Sequence, residues 1–217
     1  MSTRSANCPS CGAPKEDVDQ AAAMAVCDYC GVAFYFKDES ILAMGKMAIL
    51  VDLPTPLYVG ATGELRGRRF QVHGRLRYRY TNGFWDEWFV LYADKSEEWI
   101  VDDELELSLE RSLGDPGGLP SLKSLSPGDP IRLGGKKLFI DEIDTAYIDG
   151  AEGWLPLVLA LHAEFPYVDA SQGEATFTIE YGQGGVEVFQ GTWIDAAELN
   201  LDHPNPNAEG PETFFDA

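Results

Sequence analysis

The four cysteines of this 217-residue chain are its clearest candidates for chemistry. Cys8 and Cys11 read C-P-S-C-G, Cys27 and Cys30 read C-D-Y-C-G, and fifteen residues lie between the pairs. Two C-x-x-C pairs at this separation have zinc-ribbon spacing. A tight turn at each pair aims two sulfurs at one ion. Gly12 and Gly31 stand where such a turn takes a residue tolerant of positive φ. Four thiolates complete the tetrahedron that Zn²⁺ favours, so the site reads as structural, one zinc per chain, with no open position for water or substrate. A disulfide pair would require export, which nothing here suggests. A redox pair would need only one C-x-x-C, at a helix start. Iron is the other metal that such thiolates take.

Beyond zinc, no thiol nucleophile remains. His73, His162 and His203 have no neighbouring ligand pattern. There is no G-x-S-x-G, phosphate-loop or dinucleotide fingerprint, so no catalytic residues are assigned. Arg75, Arg77 and Arg79 share one strand face, and six of the sixteen basic residues lie between Arg66 and Arg79. The stripe is a candidate partner-binding surface for phosphate, carboxylate-rich partners or lipid head groups. Its plain alternative is pairing with acids across the hairpin, such as Asp86 and Glu87. In Trp85-Asp86-Glu87-Trp88, two indoles flank two carboxylates, a candidate cation cradle. Adjacent strand residues face opposite ways, so these two acids do not form a catalytic pair, and core packing of both indoles is the plain alternative. Phe214 and Phe215 close an acidic tail, residues 202–217, expected to be flexible and free to dock into a partner's groove or fold back.

The elements that must position these residues are strands. Apolar residues make up 45% of the chain, ample for a core. The stretch Val18 to Val26 is Ala-rich, but a ribbon requires strand there, and Val32 to Phe36 returns. Ile41 to Leu53 links ribbon to body, and Pro54 and Pro56 mark the boundary. The expected organisation is a ribbon with its linker strand over 1–50 and a body over 54–201. The body reads as a duplication without gaps at a spacing of 68 residues, with copies at about 57–113 and 125–194. Gly60, Leu65, Gly67, Phe70 and Val72 fall on Gly128, Leu133, Gly135, Leu138 and Ile140. Further along, Asn82-Gly83 fall on Gly150-Ala151, both read as turns, and Phe89-Val90-Leu91 fall on Leu157-Val158-Leu159.

In copy one, Phe70 to Tyr80 alternates with period two. Asn82-Gly83 signals a hairpin turn with positive φ. Leu105, Leu107 and Leu109 alternate with Glu106, Ser108 and Glu110 as another strand. In copy two the strands are placed at 131–133, 138–148, 154–162, 167–168, 175–181 and 186–194, with a bulge near Glu142. A helical turn is expected only at Asp195–Leu199. The fold class is therefore mainly β: a zinc ribbon followed by a duplicated β-meander, closed as a barrel or sandwich.

The stretch from Gly60 to Tyr80, then W-D-E-W-F-V-L-Y-A-D and E-E-W-I-V, resembles the bacterial domain-of-unknown-function family 4178. Its members often carry a leading four-cysteine ribbon. The resemblance spans roughly residues 8–195. Relatives tend to have Asp-Gly where this chain has Asp94-Lys95. The family has no established activity, and the resemblance implies, through neighbouring genes, a role near polyamine chemistry or membrane-stress systems.

Charge narrows the partners. The net charge is −20, and residues 138–217 hold sixteen acids and no Lys or Arg. Nucleic acid is disfavoured, because phosphate neutralisation dominates that affinity. No apolar stretch is long enough to cross a bilayer and no secretory signal opens the chain, so a cytoplasmic protein is expected. The leading expectation is a non-enzymatic adaptor with a protein partner. One alternative is an enzyme acting on a small cationic, polyamine-like metabolite, which requires an enclosed pocket with carboxylates from separate strands. Another is an acidic mimic that inhibits a nucleic-acid-binding protein.

Overall fold

A computed structural model describes residues 3–37, 40–51, 54–159, 163–182 and 185–208. The ribbon is built from two hairpins. β1 (Thr3–Asn7) and β2 (Pro14–Asp19) flank the first cysteine pair. β3 (Met24–Val26) and β4 (Val32–Lys37) flank the second, and β5 (Ser40–Lys46) pairs with β4. The Ala-rich stretch is strand despite its helix propensity. It comes in two pieces rather than one, because the Ala22 amide donates back to the Asp19 carbonyl at 3.1 Å and turns the chain.

Ten strands form the body. The first meander is β6 (Thr62–Leu65), β7 (Arg68–Arg79), β8 (Phe84–Tyr92), β9 (Glu97–Asp103) and β10 (Glu106–Gly114). The second is β11 (Pro130–Leu133), β12 (Lys136–Leu155), β13 (Glu164–Gln172), β14 (Ala175–Gly182) and β15 (Gly185–Ile194). Each strand pairs antiparallel with the next in its meander. β10 also pairs with β15, and β12 with β7. The order β7-β8-β9-β10-β15-β14-β13-β12 thus returns to β7 and closes an eight-stranded barrel, which leaves no edge in the ring. The expected turn after β15 is a 3₁₀ turn, Ala196–Leu199, capped by Asp195.

The duplication is visible in the fold. In each copy the first hairpin, β6–β7 or β11–β12, turns at a left-handed glycine, Gly67 (φ 78°) or Gly135 (φ 83°). Gly60 and Gly128 donate to the carbonyls of Val72 and Ile140 at 2.8 and 2.7 Å. Leu65, Phe70 and Val72 are buried, as are Leu133, Leu138 and Ile140. Each hairpin covers the outer face of its own meander, giving two matching apolar clusters.

The constant spacing fails after these hairpins. Gln71 pairs with Leu91, but its counterpart Phe139 pairs with Ser171, 80 residues beyond Leu91. β8 therefore corresponds to β13, not to residues 154–162. Gly150 and Ala151 are not a turn: β12 runs straight through them to reach β7 and, at Trp154 and Leu155, to pair with β3. Residues 157–159 lie beyond the strand. Glycine is needed in β12 for close approach. A Cβ at Gly150 would lie 2.5 Å from the Leu50 side chain, and one at Gly153 would lie 2.1 Å from the His73 carbonyl oxygen. The bulge expected near Glu142 is present, as a register shift between Ile140 and Glu142. Asn82 and Gly83 do turn β7 into β8, yet neither takes positive φ; Lys95 does, at 72°, in the following turn.

The ribbon closes one end of the barrel. Met24, Ala25, Phe34 and Met47 share one apolar cluster with Leu76, Tyr78, Phe89, Leu91 and Trp154. Past β15, the chain stays tied down through residue 205. Asp202 accepts from both Arg69 guanidinium nitrogens, and the Asn205 amide donates to the Thr55 and Leu57 carbonyls at 2.8 and 2.9 Å. This first part of the tail is therefore anchored, contrary to the expectation of flexibility. Phe214 and Phe215 lie outside the described residues.

Replacing Gly153 with Ala should destabilise the chain by about 3 kcal/mol, because the new methyl meets backbone at a left-handed position. Gly173 is also left-handed but faces open space, so its Ala variant should cost only about 1 kcal/mol. Urea unfolding of the two variants measures the difference.

Candidate functional site

At the four-cysteine end, geometry follows from two knuckles. The Gly12 and Gly31 amides each donate to the carbonyl of the first cysteine of their pair, Cys8 and Cys27, at 2.9 Å. Both glycines are left-handed, at φ 76° and 70°. No disulfide joins the four cysteines, and all four sulfurs lie within 4.8 Å of one another. Cys8 to Cys30 is 3.6 Å and Cys11 to Cys27 is 3.7 Å between sulfurs. A tetrahedron with metal–sulfur bonds of about 2.3 Å has edges of about 3.8 Å. The cluster is thus a possible metal site, consistent with a zinc ribbon.

The arginine stripe is resolved by burial. Arg75 and Arg77 are buried on the outer face of β7, not displayed. Both bind Asp86 on β8: Arg77 in a two-pronged contact at 2.8 and 2.7 Å, Arg75 at 2.7 Å. Arg75 also reaches Glu152 on β12 at 3.4 Å, and its guanidinium lies over the Trp88 ring. Arg79, more exposed, binds Asp149 at 2.7 Å. The stripe is therefore not a partner-binding surface at Arg75 and Arg77. It fastens β8 and β12 to β7, since a buried cation is tolerated only with a hydrogen-bonded counter-charge.

The W-D-E-W motif divides between the two sides of the sheet. Asp86 and Trp88 point outward into the arginine layer and its apolar cover. Trp85 and Glu87 point inward, where the indole nitrogen donates to Glu87 at 3.0 Å. Two indoles therefore do not flank one cradle. The inward pair belongs to something larger.

Inside the barrel is a cavity of about 230 Å³. Eight carboxylates line it, from six strands: Glu87, Asp103, Glu106, Glu110, Asp141, Glu142, Asp169 and Glu180. Aromatic rings supply much of the rest of the wall. Trp85 stacks on Tyr78 at 5.0 Å and meets Tyr167 edge-on at 5.4 Å, with Tyr80 beside it. Trp99, Phe189 and Trp193 add to the aromatic lining, and no Lys, Arg or His is among the described residues there. The β12 bulge brings two successive residues, Asp141 and Glu142, to the same wall.

Burial in this acidic space raises the carboxyl pKa values. Glu110 moves from 4.5 to about 7, with Asp169 and Glu180 adding repulsion. Asp169 moves from 3.8 to about 7, opposed by a hydrogen bond from Thr178, and Glu180 moves to about 7 beside Glu187. Asp103, nearer solvent, rises to about 6. Glu87 is pushed well above its ordinary range by burial, with Glu180 and Glu110 nearby. Inward-facing acids with values near neutrality in a cavity are the physical signature of a functional site.

Sequence reasoning named Glu87 and Trp85 but missed the other seven acids. Their signal was the alternation itself. Glu106, Ser108 and Glu110 occupy the face opposite Leu107 and Leu109, and Thr176, Thr178 and Glu180 the face opposite Phe177 and Ile179. That polar face reads as solvent until the sheet closes on it.

Residues 58–196 match the family described as Domain of unknown function (DUF4178). The chain belongs to this family. The matched region begins after the ribbon and covers the barrel. No curated protein and no solved structure matches the chain. Among the described residues, no helix is long and apolar enough to cross a membrane.

The raised carboxyls make a signed pH dependence. Folded, these groups hold protons up to about pH 7; unfolded, they release them near 4. The folded chain therefore binds more protons across that window, and their contribution to stability falls as pH rises from about 4 to 7. The isosteric double variant Glu110→Gln, Asp169→Asn should lose part of this slope and gain melting temperature relative to the natural chain at pH 8. Melting curves at pH 5.5 and 8 test this; two chains with the same slope would exclude it.

Proposed function

We propose that this DUF4178 chain is a non-enzymatic binding protein whose barrel holds a small organic cation of polyamine-like character. The observation that carries this reading is the cavity, open to solvent at the Asp103, Glu106 and Asp141 end, in which eight carboxylates face aromatic rings with no basic side chain among the described lining residues. Burying several acids without counter-ions is costly. A bound cation supplies the missing charge, and indole and phenol faces attract it further. The four cysteines are read as holding one structural Zn²⁺, which fixes the ribbon against the barrel end. Cysteines that hold a metal rather than pair as disulfides suit a reducing compartment, so the proposed location is the cytoplasm. An adaptor role based on the arginine face loses its support, since that face is used internally.

One observation favours a second reading, an enzyme acting on the same cation. Carboxyls near 7 suit general acid–base work at neutral pH. Incubation of the chain with a cation that it binds, followed by mass spectrometry of the small molecule, separates the two. Recovery of the unchanged compound supports binding alone.

Calorimetry of the purified, metal-loaded chain with spermidine as probe should give saturable binding. Glu180→Gln should weaken it about tenfold, near 1.4 kcal/mol. Absence of heat with spermidine and with tetramethylammonium would remove the proposal. For the metal, elemental analysis should return one zinc per chain. Cys27→Ser should lose it and lower the melting temperature by several degrees, because the ribbon and barrel end share one core.

A further inference from the structure

The cation site carries a second property, and this inference rests on the binding reading above. We infer that the cavity exchanges carboxyl protons for its ligand, and that the ligand must therefore bring at least two positive charges, spaced along an aliphatic chain.

The first support is the arrangement of acids along the wall. β9 and β10 place Asp103 opposite Glu106 at one end of their shared hairpin. Glu110 follows four residues along the same face, about 13 Å further down the strand. On β14, Thr178 lies opposite Asp169, and Glu180 lies opposite Tyr167 on β13 and Glu187 on β15. Asp169 and Glu180 are thus diagonal neighbours, about 7–8 Å apart. The acids form two tiers. Glu87, Glu110 and Glu180 repel one another in the inner tier. Asp169, which also repels Glu110 and Glu180, joins them to the outer acids Asp103, Asp141 and Glu142. A point charge at Glu110 leaves Glu106, about 13 Å along the strand, unmatched, while an extended dication reaches both ends.

The second support is unsatisfied polarity on the same wall. The Thr176 hydroxyl, four residues before Glu180 on β14, is buried with no partner among the described residues. The fold does not explain it, since buried polar groups normally find partners. The aromatic wall also argues against a bare divalent metal, which prefers an all-oxygen shell.

Proton exchange follows from charge balance. Among the described residues, the titratable groups facing this space are acidic or phenolic: Tyr78 and Tyr80 from the β7 side, Glu87 from β8, Asp103 from β9, Glu106 and Glu110 from β10. Asp141, Glu142 and Asp144 come from β12, Tyr167 and Asp169 from β13, Glu180 from β14 and Glu187 from β15. With no base among these residues, protons on the carboxyls offset their mutual repulsion when no cation is bound. An entering ammonium group favours the carboxylate, so a proton leaves. Charge is conserved: each positive centre that enters is matched by a proton released or by a carboxylate already ionised.

The test uses the metal-loaded full chain and two probes of equal carbon number, 1,4-diaminobutane and 1-butylamine. Titration calorimetry is run at pH 7 in phosphate and in Tris, whose ionisation heats differ. The diamine is expected to bind at least tenfold more tightly than the monoamine and to release about one proton, since groups near pKa 7 are about half protonated there. Asp169→Asn and Glu110→Gln, both isosteric, should lower the proton count while the melting curve keeps one cooperative transition. Equal affinity for the two amines, or the same heat in both buffers, would overturn this inference and leave the cation reading standing. No binding of either amine or of tetramethylammonium would end both, whether or not Ca²⁺ binds.

Discussion

The fold depends on one strand, β12, and on its freedom to run on for twenty residues. Its first part pairs with β11 and β13, its middle with β7, and its last two residues with β3 of the ribbon. Without the middle pairing, two meanders would have exposed edges and the barrel would be an open, curled sheet. Without the final pairing, the ribbon would lack its hydrogen-bonded join to the body. Close approach sets the terms. Gly150 and Gly153 remove the side chains that would hold the Leu50 side chain and the His73 backbone away. Arg75 then supplies charge across the seam to Glu152, while Arg75 and Arg77 together bind Asp86 on β8.

Closure has a chemical consequence. A half-polar strand in an open sheet shows its acids to water, where they cost nothing. In a ring, the same face points at the opposite wall. The two hairpin flaps cover the other face with Leu65, Phe70, Leu133 and Leu138, so the apolar residues are satisfied outside the ring rather than within it. The interior is then divided: apolar where the ribbon plugs it, acidic and aromatic elsewhere. The four-cysteine cluster and the cavity are thus linked through the packing of Met24 and Phe34 near Tyr78 and Phe89.

Much of this was legible in residue order. Two cysteine pairs with trailing glycines specify a ribbon because tetrahedral sulfur geometry leaves few ways to arrange them. The repeat was legible at Gly60 and Gly128, and at the apolar positions after them, because both flaps need the same turn and the same buried side chains. It became misleading at Gly150, where a glycine needed for close approach looks the same as a glycine needed for a turn. The arginine stripe was legible as a stripe, and Asp86 as its partner, because cross-strand neighbours follow from hairpin register. Burial was not legible, since it depends on what covers that face from Thr55 to Leu65 and from Leu199 to Asn205.

By itself, then, the sequence determined a four-sulfur cluster, a mainly β chain and a duplicated meander, all set by local spacing and period. Only the tertiary structure decided which side of each strand became the inside. Period two separates two faces but does not say which one the ring encloses, and that choice turned eight scattered acids into a single cavity.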